Sequence, residues 1–185
     1  AILFFGFVCA AVSVMSFYFS AGKPLTLDET DMATRAHMIA EAGPRGPEIF
    51  FGKGEGEAVP HPPMYDYTLA LLFRLFGESG LVGRLFGVFC FAITGILSLL
   101  SLRYLLEEES IFMRRAAMFT AACLYLVNPL MIQHSLLVDA DAAYTFLFLN
   151  LFLYFFIRFE KNRPSSVFWP RLALAFIFAL ICLSK

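Results

Sequence analysis

Charge is scarce in this chain. Asp, Glu, Lys and Arg make up 16% of its 185 residues, where a soluble domain carries about 25%. No basic stripe accompanies the net charge of −1, which argues against a nucleic-acid partner. Cysteine is sparse too: Cys9, Cys90, Cys123 and Cys182 all lie inside apolar runs and share no ligand-like spacing. They read as small hydrophobes rather than as a zinc site or a disulfide framework. Three histidines are present, and neither His37 nor His61 has the Cys, His or carboxylate spacing of a dedicated metal site. A divalent ion held by carboxylates alone stays open, since hard cations take oxygen ligands.

What fills the chain is apolar. Hydrophobic residues reach 59%, 23 residues are Phe, and mean hydropathy is +0.73. A soluble fold of this size could not bury so much Phe and Leu. Residues 1–22 carry no charge and end at Lys23. At ~1.5 Å per residue this run covers ~33 Å, enough for a bilayer core. It lacks the basic start of a signal peptide. Further uncharged stretches occupy 85–102, 116–133, 142–157 and 172–184. The last reaches span length only if 167–170 or residues beyond 185 contribute. The fold predicted is all-α: a polytopic transmembrane helical bundle of about five spans, at 1–22, 81–103, 114–133, 139–158 and 167–185. The missing initial Met and the final Lys185 directly after an apolar run predict a piece of a longer protein.

Lys and Arg near span ends set the orientation. Two short loops, 103–115 and 158–171, pack seven basic residues into 27 positions. The other side also holds seven, but spreads them over the long segment 23–84, a short turn near 128–135, and Lys185. The short loops are therefore placed in the cytoplasm, and the long first loop faces outward.

That loop, 23–80, has internal organisation. Residues 27–42 read as a helix, with Asp28, Glu29 and Asp31 at its positive end and Gly43-Pro44 as its stop. Residues 43–63 are rich in Gly, Pro and Glu. Residues 65–76 are apolar, hold Arg74, and are too short to span, which predicts a second interfacial helix. A loop of this length with its own elements is more often functional than a tether.

Asp28-Glu29 admits two readings. Carboxylates at a helix start complement the dipole and cap the chain. A carboxylate beside lipid is also partly desolvated, which strengthens it as a general base. Asp139 and Asp141, at the junction of the third and fourth spans, fall on the same side by this topology. They either cap a helix or supply one acid to a shared site; at i,i+2 they point to different faces. Arg35, His61, Arg84 and Lys185 lie on that side as candidate partners for an anionic phosphate.

The ordered set of residues resembles a known family. Leu27-Asp28-Glu29 opens a lateral helix with Arg35. His61-Pro62-Pro63-Met64-Tyr65 follows, then Leu75-Phe76-Gly77-Glu78 and Gly83-Arg84-Leu85. Asn128-Pro129, Leu136-Leu137-Val138-Asp139-Ala140-Asp141 and Leu183-Ser184-Lys185 complete the series. This is similar to the GT-C glycosyltransferases, and more narrowly to the protein O-mannosyltransferase and lipid A aminoarabinose transferase superfamily. The resemblance implies an inverting membrane enzyme that moves a sugar from a polyprenyl-phosphate donor to a protein, lipid or glycan acceptor on the extracytoplasmic side of a bacterial or archaeal inner membrane. It implies Asp28 as the base on the acceptor hydroxyl, Glu29 as its neighbour, and Asp139 or Asp141 as the second acid. Basic residues near Pro-Pro hold the donor phosphate; many relatives have Lys where this chain has His61. Lys185 matches the Lys of a Leu-Thr/Ser-Lys motif after the fifth span. An isolated piece of such an enzyme is expected to be inactive, and no cofactor is implied.

Two other classes compete. A transporter or flippase would use the acids for ion or substrate binding, and would place them mid-span on broken helices or internal repeats. Here the spans are charge-free and the acids gather at one face. A purely structural membrane subunit leaves the organised first loop unexplained.

Overall fold

A computed structural model describes residues 27–42, 64–128, 144–162 and 168–184, together with Gly6, Val14 and Tyr18. Among the described residues there are six helices and no strand: α1 Leu27–Ala42, α2 Met64–Phe76, α3 Gly80–Leu105, α4 Ile111–Val127, α5 Thr145–Asn162 and α6 Phe168–Ser184. The expected first span, 1–22, lies outside this set apart from the three helical residues named.

α1 forms from a stretch rich in Ala, Met and Glu, all good helix formers. It buries Met32, Ala36 and Ile39, an i, i+4, i+7 stripe. α2 answers with Tyr65, Leu69, Ala70 and Phe73. Together with Cys90 and Tyr144 these residues make the larger apolar core. Arg74 Nε donates to Ala40 O at 2.7 Å, so a side chain of α2 satisfies a carbonyl that the end of α1 leaves open. α2 itself stops at Gly77, whose φ of 87° is the left-handed conformation that favours glycine. The Gly77 N–H closes on Phe73 O at 3.0 Å.

Ser79 starts α3 by accepting from Val82 N at 3.3 Å. α3 is 26 residues long, about 39 Å. Among the described residues it is the helix long and apolar enough to cross a membrane, and Pro170–Cys182 is a shorter apolar helix. The charge-free run 85–102 is narrower than α3, because Arg84 and Arg103 lie inside the helix. α4 begins at Ser110, which accepts from Met113 N, and ends at Asn128, whose backbone is extended. Pro129 follows in the sequence, and a residue before proline is biased toward that conformation. The uncharged run 116–133 is thus not one continuous helix: it enters after one helical turn has passed and outlasts the helix. Five full spans are therefore not delivered by the described helices.

The helices run alternately up and down. Tyr125 of α4 stacks on Phe91 at 4.7 Å and donates its hydroxyl to Phe91 O at 2.7 Å, while Met118 packs on Leu99, so α4 is antiparallel to α3. Tyr144 meets Phe86, Ser98 donates to Asn150 Oδ1 at 2.7 Å, Tyr104 meets Tyr154, and Lys161 pairs with Glu107 at 3.2 Å. These rising pairs make α5 parallel to α3. Phe152 against Phe178 turns α6 back again, and α6 also touches α2. One end of the bundle therefore holds the start of α3, the end of α4, the start of α5 and the helices α1 and α2. The opposite end holds the α3–α4 and α5–α6 connections.

Candidate active site

The end that carries α1 and α2 holds two buried ion pairs. Glu29, in the first turn of α1, meets Arg84, the fifth residue of α3. Arg84 Nε lies 3.3 Å from Glu29 Oε1 and Nη2 lies 3.4 Å from Oε2. Their side chains are 2% and 6% exposed, so both charges are out of water, and each is tolerable only because of the other. The contact is two-pronged, but longer than the ~2.8 Å of a tight charge-assisted bond. Arg84 also sits at the positive end of a long helix, where a cation is disfavoured. A carboxylate opposite it offsets that cost.

The second pair joins α1 to α2: Arg35 Nε donates to Asp66 Oδ2 at 3.0 Å, with Asp66 almost fully buried. Asp66 was not singled out by reasoning from the sequence. The signal was there: Asp66 shares an i, i+3, i+4, i+7 face with Leu69, Ala70 and Phe73, and an acid on the buried face of an apolar helix requires a partner. His37 lies between two exposed carboxylates, 2.7 Å from Glu78 Oε1 and 3.5 Å from Glu41 Oε2. No group of three or more His, Cys, Asp or Glu among the described residues forms a metal site.

Asp28 is the second residue of α1, and its side chain lies outside the described residues. His61, Asp139, Asp141 and Lys185 also lie outside them. Asp28 adjoins the buried Glu29. Met64 and Tyr144 are joined through Thr68. Thr68 Oγ1 donates to Met64 O at 2.9 Å and lies 2.9 Å from Tyr144 Oη. The single Thr68 proton is used on Met64, so Tyr144 donates to Thr68. This contact joins the start of α5 to α2. Of the eight candidate residues, the structure brings Glu29 and Arg84 into contact and pairs Arg35 with Asp66; the side chains of the other five lie outside the described residues.

A chain whose described residues are helical, with a helix of membrane length, many exposed Phe and Leu side chains, and paired charges buried at one end, is of the membrane-embedded class. The model of the family described as Dolichyl-phosphate-mannose-protein mannosyltransferase matches residues 60–185, two thirds of the chain, and the chain belongs to that family. Membership makes it an integral membrane protein of glycosyltransferase type. No curated protein and no solved structure matches it. The family match begins after α1. The structure ties α1 to the matched region by both buried pairs, since Asp66 and Arg84 lie within it.

Proposed function

We propose that this protein transfers a sugar, with inversion, from a polyprenyl-phosphate donor to an acceptor hydroxyl, and that Asp28 is the general base. The observation that carries this reading is the buried Glu29–Arg84 pair. It fixes the first turn of α1, to which Asp28 belongs, against the start of α3; in this reading His61 and the second acid come to the same end. A base, a second acid and phosphate-binding cations within reach of one another are what the reaction requires.

In this reading Asp28 removes the acceptor proton as the acceptor oxygen attacks the anomeric carbon. The bond from that carbon to the phosphate oxygen breaks, and the lipid phosphate leaves with the electron pair. Asp139 or Asp141 is the second acid. Arg35 and Arg84 each face a carboxylate, so their main task is to hold α1 on α2 and α3. The leaving phosphate then falls chiefly to His61 and Lys185. The bundle is read as five spans, with this end extracytoplasmic and the Arg-rich connections cytoplasmic.

The test is sugar transfer by the intact protein carrying Asp28→Asn. The expected outcome is loss of transfer with expression and folding unchanged. Full transfer activity in that variant overturns the base assignment.

A further inference from the structure

A groove of about 240 Å³ lies between the end of α5 and the start of α6, at the opposite end of the bundle from the acid cluster. Its walls are Phe155, Phe159, Ala173 and Leu174, with Arg158 and Asn162 at the polar edge. The volume falls below the ~300–1,000 Å³ of ordinary small-molecule sites, so it does not suit a whole sugar-phosphate lipid. It suits one chain of an amphiphile. Arg158 is exposed and reaches Tyr154 Oη at 3.5 Å, a neutral contact, and no carboxylate among the described residues pairs with it. Lys161, one turn on, is by contrast taken up by Glu107.

We infer that this groove binds one anionic phospholipid, with an acyl chain against Phe155, Phe159 and Leu174 and the headgroup phosphate on Arg158 and Asn162. Charge complementarity selects the occupant. Guanidinium recognises phosphate by paired N–H donors, and an apolar slot opening beside Arg158 offers nothing to a soluble anion that lacks a chain. A zwitterionic lipid brings its own cation to the Arg and gains less. The inference needs only the family's membrane setting and does not depend on Asp28 or on the direction of insertion.

The test uses the intact protein, reconstituted in mixed phosphatidylglycerol and phosphatidylcholine vesicles, extracted gently and weighed by native mass spectrometry. The expected result is one retained phosphatidylglycerol in preference to phosphatidylcholine. Arg158→Gln should lower that retention about fivefold, the effect of one basic contact near a membrane surface. Ala173→Trp, which fills the groove, should remove it. Arg115→Gln, an exposed cation elsewhere at the same end, should leave it unchanged. Equal retention of the two lipids by the unaltered protein, or undiminished phosphatidylglycerol in Arg158→Gln or Ala173→Trp, overturns the inference.

Discussion

Arg84 occupies an unfavourable place for a cation, near the N-terminal end of a helix, and is nearly out of water. Its partner Glu29 is at a favourable one. Removing either charge leaves the other buried and uncompensated, at a cost of about 3–5 kcal/mol. Glu29→Gln and Arg84→Gln are each expected to lower stability by that order and to reduce transfer. The charge-exchanged double variant Glu29→Arg/Arg84→Glu should recover stability beyond either single change, as measured by a double-mutant cycle of unfolding. Recovery would show coupling between the two sites rather than two separate losses. His61 carries a different expectation. A neutral imidazole is a poorer phosphate partner than an ammonium group, so His61→Lys should lower the donor KM at pH 8 while leaving kcat little changed. At this scale the sequence was partly legible. Asp28-Glu29 and Arg84 stood out as charges in an uncharged chain. Asp66 did not, because a lone acid in a short helix looks solvated until its buried face is drawn.

At the scale of elements, turn and cap chemistry decides the bounds. Helix α1 was readable from its acids and from Gly43-Pro44, and α2 from its length and the preceding Pro-Pro. The charge-free runs 85–102 and 116–133 do not by themselves give the ends of the longer helices, and the spans drawn around them, 81–103 and 114–133, already take in the flanking arginines. Arg84, Arg103, Arg114 and Arg115 sit inside helices, and Ser79, Ser110 and the Asn128-Pro129 step set the limits instead. Two substitutions test this. Gly77 has open space around it and a φ of 87°, so Gly77→Val should cost about 1–2 kcal/mol from the backbone alone. Ser110→Ala should cost about 1 kcal/mol through loss of the α4 cap. Both are checked by thermal or denaturant unfolding in detergent. A smaller loss is expected for Ser98→Ala, whose bond to Asn150 joins α3 to α5; such bonds between membrane helices average ~0.6 kcal/mol.

For the whole molecule, the alternation of helices accounts for why residues far apart in sequence share one end. α3 and α5 start there, α4 and α6 finish there, and α1 is pinned there by two ion pairs. None of those pairings was visible in composition or periodicity, which speak only of single helices. The membrane orientation is checked by cysteine labelling in sealed vesicles. Glu108→Cys, in the α3–α4 connection, should react only from the cytoplasmic side. Met38→Cys, on the exposed face of α1, should react only from outside. The account rests most heavily on the convergence of Asp28 with the second acidic segment. In intact protein with Cys9, Cys90, Cys123 and Cys182 replaced by Ser, Asp28→Cys paired with Asp141→Cys should form a cross-link with a short bifunctional reagent. Asp28→Cys paired with Glu108→Cys should not. Failure of the first pair to link, with both cysteines reactive to a single-ended reagent, would contradict a shared site.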